Sequence, residues 1–213
     1  MRKIHENVPV LFRPEKWTVS EYGFDRRRGI VNETIFTVGN GYLGVRGYLE
    51  EGVPENTPSE RSALINGVYE YHPYHHIWQR PGFPGRYHAI FAQADPFQVR
   101  VYADGELCTP YGRCENYVRR LDMARGVMTR SFEFLTEQGK RVFLTFERFA
   151  DFENVHRLCH RVRVQSPEQA AVRVESRLCR PGKAEGQRKE EMGDDNSVRL
   201  LLEKSERCGE TRL

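Results

Sequence analysis

The sequence predicts an all-β protein built as an antiparallel β-sandwich, and three observations predict it. Segments with apolar and polar residues alternating at period two recur along the chain, as at Val99-Arg100-Val101-Tyr102-Ala103. Tight-turn dipeptides, Asn40-Gly41 and Asp104-Gly105, punctuate them. No stretch of a dozen residues repeats its apolar positions at helical spacing. Many strands joined by turn-rich segments pack in two layers, because each half-apolar sheet must bury one face against another. The 213 residues suffice for one substantial core, so a single domain over residues 1–213 is expected.

Residues 33–52, Glu-Thr-Ile-Phe-Thr-Val-Gly-Asn-Gly-Tyr-Leu-Gly-Val-Arg-Gly-Tyr-Leu-Glu-Glu-Gly, carry the first hairpin. They contain G-x-G-x-x-G at Gly39, Gly41 and Gly44, but a phosphate cradle needs a helix after the glycines so that free N–H groups meet the anion. The glycine-rich run through Gly47 is a poor helix former. Asn40-Gly41 instead fits a two-residue turn, because both residues tolerate positive φ. That turn sets Val38 opposite Leu43, Phe36 opposite Val45 and Thr34 opposite Gly47 on one side. On the other side Thr37 meets Gly44, Ile35 meets Arg46 and Glu33 meets Tyr48. Arg46 and Glu33 then become diagonal neighbours within reach of each other. Gly44 and Gly47 leave gaps that suit a close backbone or a bulky ring.

The later strands follow in order. Asp104-Gly105 offers the second tight turn. Residues 127–135 and 141–149 form a hairpin around 136–140, with Val142, Leu144 and Phe146 on one face and Phe143, Thr145 and Glu147 on the other. Leu158, His160, Val162 and Val164 alternate with Arg157, Cys159, Arg161 and Arg163. Val172, Val174, Ser176 and Leu178 alternate with Arg173, Glu175 and Arg177, and Val198, Leu200 and Leu202 mark a last strand. Residues 181–196 are polar and read as a mobile loop. Residues 69–91, rich in Tyr, His, Pro and Gly, read as a long irregular excursion between strands, and such loops often carry function.

Composition excludes several classes. Thirty-three basic against thirty acidic residues give a net charge of +3, a mixed surface with no polyanion-binding stripe, so nucleic acid is not an expected partner. The arginines at 157, 161, 163, 173 and 177 read as a solvated, ion-paired face. Five cysteines, at 108, 114, 159, 179 and 208, form no C-x-x-C pair. No apolar run follows the N-terminus as a signal peptide or approaches a membrane span, so a cytoplasmic protein is expected.

Candidate chemistry is sparse. His72, His75, His76 and His88 have no metal-ligand spacing, and no metal is expected. Sugar rings present C–H faces that stack on aromatic side chains, with hydroxyls caught by nearby donors. Tyr74, His75, Trp78, Phe83 and Tyr87 are the right residue types for the wall of a saccharide site. Inverting glycosidases need two carboxyl groups roughly 6.5–9.5 Å apart, and no Asp or Glu here is nominated. Glu33 and Glu147 sit in strand patterns and are expected to pair with Arg46 and a neighbouring strand.

Several blocks together resemble the N-terminal domain of glycoside hydrolase family 65, the maltose, trehalose and kojibiose phosphorylases with related hydrolases. Trp17-Thr18-Val19-Ser20-Glu21 resembles the family's Trp-x-x-x-Glu start, and the block holding Glu33, Gly39, Asn40, Gly41, Gly44, Arg46 and Gly47 follows it. Asn66-Gly67-Val68-Tyr69-Glu70, Asp104-Gly105-Glu106, Leu121-Asp122-Met123-Ala124-Arg125-Gly126-Val127 and Glu147-Arg148-Phe149 with His156 come next, in the family's order. Ala92–Phe97 departs from the family's usual Leu-Pro-Asp/Asn-Trp segment.

The resemblance implies a super-sandwich domain that packs on an (α/α)6 barrel holding the catalytic glutamate, which is expected beyond Leu213. It implies reversible, inverting phosphorolysis of an α-linked glucodisaccharide, with inorganic phosphate as co-substrate, no cofactor, and a homodimer. A trehalase-like hydrolase, a stand-alone saccharide-binding module and a truncated gene product are the alternatives. The final strand is expected to be cut within the domain and to leave a sticky edge, and the chain alone is expected to be catalytically silent.

Overall fold

The computed structural model of the chain describes residues 12–55, 57–73, 81–82 and 84–179. Expectations for residues 181–196, the strand at 198–202 and the C-terminal edge lie outside them. The described residues form three antiparallel sheets with one short α-helix.

The largest sheet has the order β1-β2-β9-β10-β11-β12. Its strands are β1 (Phe12–Glu15), β2 (Thr18–Tyr22), β9 (Cys114–Asp122), β10 (Val127–Leu135), β11 (Arg141–Ala150) and β12 (Leu158–Gln165). The expected β10–β11 hairpin forms with Val127 opposite Phe149 and Leu135 opposite Arg141. Val142, Leu144 and Phe146 are buried together, as their alternation requires. They face Val99, Val101 and Ala103 of β7 (Asp95–Ala103), which belongs to a three-stranded sheet with β8 (Glu106–Leu107) and β13 (Val172–Cys179). Tyr117, Phe132, Phe134 and Cys108 complete this sandwich core. Each buried aromatic or branched side chain contributes about 1.5–3 kcal/mol. The Asp104-Gly105 turn is as expected: both residues have positive φ, 48° and 87°, and Ala103 pairs with Glu106.

A four-stranded sheet runs β3-β4-β5-β6, made of β3 (Val38–Gly39), β4 (Leu43–Val45), β5 (Ala63–Pro73) and β6 (Arg86–Gln93). Two expectations are corrected here. The first hairpin pairs Val38 with Val45 and Gly39 with Gly44, two residues out of the expected register, with Asn40 to Leu43 turning the chain. The cause is the Asn40 side chain: its Oδ1 accepts from the backbone N–H groups of Tyr42 (3.0 Å) and Leu43 (2.8 Å), which widens the turn. A two-residue shift preserves the faces, so Val38, Leu43 and Val45 are still buried. The hairpin is also shorter than expected, because Glu33, Thr34 and Ile35 lie in α1 (Gly29–Ile35). That helix spans seven residues, too few for a periodicity to show. It turns Asn32 and Glu33 inward, where Glu33 accepts from the Glu60 backbone N–H at 2.9 Å and from the Ser59 hydroxyl.

The second correction concerns residues 69–91. Residues 69–73 and 86–91 are strand, with Tyr69 opposite Ile90, Tyr71 opposite His88 and His72 opposite Tyr87. Aromatic residues occupy both faces of this hairpin, so no apolar–polar contrast betrays the alternation. The two rows of arginines are likewise separated, since β12 and β13 belong to different sheets. Arg161 pairs with Glu147 at 2.6 Å, as expected of Glu147, and Arg173 and Arg177 both pair with Glu175.

Candidate functional site

Residues 46–52 leave the sheet after β4 and run irregularly through the interior, with residues 47–52 buried. A buried segment without strand partners must satisfy its carbonyls elsewhere. Here arginines from β9, β11 and the loop before β5 do so, and the Val99 N–H of β7 also donates to the Glu50 carbonyl at 3.1 Å. Arg148 donates to the carbonyls of Arg46 (3.0 Å) and Tyr48 (2.6 Å), Arg119 to that of Gly47 (2.7 Å), and Arg61 to that of Glu50 (3.2 Å). Buried cations need buried anions. Arg130 grips Glu50 and Glu51, each at 2.5 Å from its Nη2, and Arg148 takes the other oxygen of Glu50. Arg119 pairs with Glu21 at 2.8 Å, whose second oxygen accepts from Asn32 at 2.6 Å. Arg61 pairs with Asp95 at 2.7 Å, which also accepts from the Tyr48 hydroxyl at 2.6 Å.

Burial raises the Glu50 carboxyl, but Arg148 and then Arg130 outweigh it and hold it well below the usual carboxylate range. Burial keeps Glu51 and Glu21 above theirs, with Arg130 and Arg119 offsetting it only in part. Burial also pushes the Cys108 thiol up to about 12 and the Cys114 thiol up to about 11. These charges are sealed from any substrate, so their work is architectural. The sequence reading includes Arg148 only as part of the Glu147-Arg148-Phe149 block and does not single out Arg119 or Arg130. The available signal was register: Met128, Arg130, Phe132 and Phe134 share one face, as do Val142, Leu144, Phe146 and Arg148. An arginine in an apolar row demands a buried acid, and Glu50-Glu51 is the adjacent acidic pair in the first hairpin block.

The expected motif residues come together around this lattice. Arg46 meets Glu33 at 3.9 Å, as expected, but Glu60 more closely at 3.0 Å. A Cβ on Gly47 would lie 2.6 Å from the Phe36 Cβ and 2.8 Å from its carbonyl oxygen, so the expected close neighbour is Phe36. Gly44, in contrast, has open space at its α-carbon.

Asn40 organises one end of the molecule. Its Nδ2 donates to the carbonyls of Asp151 (2.6 Å) and Val155 (3.0 Å), and the Tyr42 ring meets His156 edge-on at 4.5 Å. Asn66 joins from the bulge in β5, donating through its backbone N–H to Tyr42 O at 2.8 Å. The Phe152 ring covers Gly126, and the Met123 N–H donates to Trp17 O at 2.8 Å. Trp17, Met123 and Phe152 are all exposed, and Trp17 holds a left-handed φ of 64°, a costly conformation for so bulky a residue. Five of the six blocks that carry the family resemblance thus meet at one turn-lined end.

Of the residues expected to form a saccharide wall, Tyr74, His75, Trp78 and Phe83 lie outside the described residues. Tyr87 lies on β6, its ring 5.5 Å from His72. The crevice bounded by Glu115, Glu133, Phe134, Leu135 and Arg141 holds about 30 Å³, room for a water or two and not for a sugar ring. No group of three or more His, Cys, Asp or Glu among the described residues could hold a metal ion. No helix among them is long and apolar enough to cross a membrane.

Comparison with known proteins agrees with this architecture. The family described as "Glycosyl hydrolase family 65, N-terminal domain" matches residues 19–209. The α,α-trehalose phosphorylase of Thermoanaerobacter brockii is 33% identical over 145 residues, which is 67% of this chain and 19% of that protein. The maltose phosphorylase of Bacillus subtilis is 27% identical over 150 residues, covering 70% of this chain and 19% of that protein. A solved structure of a putative kojibiose phosphorylase from the human microbiome superposes with a TM-score of 0.69 at 23% identity, over 79% of this chain and 22% of that one. That likeness establishes the fold. The chain spans about a fifth of the length of these relatives.

Proposed function

The chain belongs to glycosyl hydrolase family 65, to its N-terminal domain, and from that premise we propose that it is the non-catalytic β-domain of an inverting disaccharide phosphorylase. The substrate class is an α-linked glucodisaccharide of the trehalose, maltose or kojibiose type, with inorganic phosphate as co-substrate and no cofactor. The observation that carries the reading is that five of the matched relatives are described as phosphorylases of these three sugars, beside mycobacterial proteins described only as uncharacterized glycosyl hydrolases. In such chemistry phosphate attacks the anomeric carbon from the face opposite the leaving glucose. A carboxylic acid protonates the departing oxygen, and β-glucose 1-phosphate and glucose result.

The three carboxylates of the 33–52 block support the assignment of a non-catalytic role. Glu50 and Glu51 are buried and held by arginines, and Glu33 accepts two hydrogen bonds while buried. None can reach a glycosidic oxygen. The domain's task is to pack its turn-lined end, with Trp17, Met123 and Phe152, against a catalytic body and so shape the approach to the site.

The test is product analysis with each of the three disaccharides, with and without phosphate. The full polypeptide of the gene that encodes this chain is expected to release β-glucose 1-phosphate only when phosphate is present, and residues 1–213 alone to release nothing. Phosphate-independent release of glucose would make the protein a hydrolase. Turnover by residues 1–213 would end the assignment of a non-catalytic domain.

A further inference from the structure

We propose that the outer face of the β5–β6 hairpin is a saccharide-contacting strip, formed by Tyr69, Tyr71, His88 and Ile90. The inference rests on the reading of the protein as a glucodisaccharide enzyme and assigns a sugar-binding surface to four residues that are not among the five expected to form the saccharide wall.

Register puts the four side chains together. Tyr69 pairs with Ile90 and Tyr71 with His88 across the two strands, so all four project from one face. His88 is wedged between the tyrosines: its ring centroid lies 4.1 Å from that of Tyr71, nearly perpendicular, and 6.1 Å from that of Tyr69 at 32°. The imidazole therefore holds two phenol rings in place. Tyr71 is 66% exposed, Tyr69 48% and Ile90 45%. The Tyr69 hydroxyl is tied to Asn66 Oδ1 at 2.9 Å, which orients its ring while leaving the ring face open. Two residues of strand separate the tyrosine stems by about 7 Å, the scale of one or two sugar rings.

The chemistry selects the occupant. Exposing this much aromatic surface costs free energy in water, and a contiguous exposed patch marks a binding surface. The four side chains bear no carboxylate, ammonium or guanidinium, in a chain with 30% charged residues, and the exposed Arg86, opposite Pro73, follows on the same face as a donor at the edge of the strip. What they offer is ring faces with polar atoms at the rims, two phenols and an imidazole beside one isoleucine. Pyranose rings match that combination, with C–H faces to lie on aromatic rings and hydroxyls to exchange hydrogen bonds at the edge. A purely apolar partner would bury the same phenol and imidazole atoms without hydrogen bonds, at a cost. The opposite face of the hairpin differs, since Glu70 lies 3.4 Å from His72 there.

The experiment is saturation-transfer difference NMR on the 213-residue chain, with trehalose, maltose and kojibiose as the probes. The expected result is saturation of sugar C–H protons at millimolar affinity. Binding should weaken about tenfold in Tyr71→Ala, persist in Tyr71→Trp, which keeps a ring, and stay unchanged in Phe152→Ala at the turn-lined end. No saturation of any of the three sugars, or undiminished binding by Tyr71→Ala, would overturn the proposal. A concentration-dependent dimer of the unaltered chain that dissociates in Tyr71→Ala would overturn it too, by making the face an interface between copies. Should Tyr71→Ala not fold, tyrosine nitration of the unaltered chain decides: sugar must shield Tyr71 and leave Tyr102 unaffected. Failure of sugar binding alongside phosphate-dependent turnover by the full polypeptide would remove this inference alone. Sugar binding alongside phosphate-independent hydrolysis would instead remove the phosphorylase assignment.

Discussion

Arg130 and Arg148, at 1% and 0% exposure, are more deeply buried than most of the described leucines and valines, whereas Tyr71 on the β5–β6 hairpin is 66% exposed. The two regions reverse the usual relation of residue type to burial in opposite senses. In the first, four charges converge so that an irregular segment can pass through the interior with its carbonyls satisfied. In the second, aromatic rings are held outside with no described element over them. A buried ion pair is no sign of extra stability, because desolvating its charges consumes most of the attraction, but it does specify which strands must meet. An exposed aromatic row specifies nothing within the domain, and its explanation lies in what it touches.

Removing one partner of the charge lattice should break this contrast most severely. Arg130→Met leaves Glu50 and Glu51 buried without their shared cation, and denaturant unfolding should report a loss of about 3–5 kcal/mol. Alkaline titration probes the same interior by another route. The folded-state values of the Cys108 and Cys114 thiols are raised from 9.0 to about 12 and about 11. Tyr48 and Tyr117 are likewise raised, chiefly by burial. A raised value gives stability that is present below the unfolded value and lost as pH climbs toward the folded one. The denaturant midpoint should therefore hold below pH 9 and fall steadily between 9.0 and about 12. A flat profile there would show that these groups titrate freely.

Smaller substitutions sharpen the comparison. Gly47→Ala drives a Cβ into the Phe36 backbone and should cost about 1–3 kcal/mol in thermal or chemical unfolding. Asn40→Ala removes the two donors that hold the 151–155 loop and should cost about 1–2 kcal/mol, with faster amide exchange in that loop. Tyr71→Ala should change stability by no more than about 0.5 kcal/mol. A larger loss would mean that the hairpin face supports the fold and is no free surface.

The strands easiest to read in the sequence were those with one wet and one dry face. Residues 127–135 and 141–150 alternate cleanly because the sandwich core contacts only one side of each. The β5–β6 hairpin hid its alternation because Tyr, His and Ile occur on the exposed side and Tyr and His again on the other. Helix α1 hid because seven residues complete only two turns, and because Glu33, placed in a strand, owes its position to Ser59 and Glu60. The Asn40 turn is legible in position but not in register, because the Asn40 side-chain acceptor competes with the two-residue turn. The charge lattice went unseen because no local pattern joins Glu50 to Arg130. Its one trace was an arginine in an apolar row. The family itself was legible, since it rests on short blocks in order, and five of those blocks meet at the turn-lined end.

The lattice also sets a timetable. Glu50 precedes Arg130 by 80 residues and Arg148 by 98. At ribosomal rates of about 5–20 residues per second, the nascent chain carries the two carboxylates for roughly 4–20 seconds before their cations are made. During that interval the two carboxylates lack the guanidinia of Arg130 and Arg148 and stay solvated. Closure of the lattice joins distant parts of the chain, the kind of contact that slows folding most. Synthesis must therefore pass Arg148 before the lattice can close, and burial of Glu50 and Glu51 becomes the late step that joins the segment after β4 to β10 and β11.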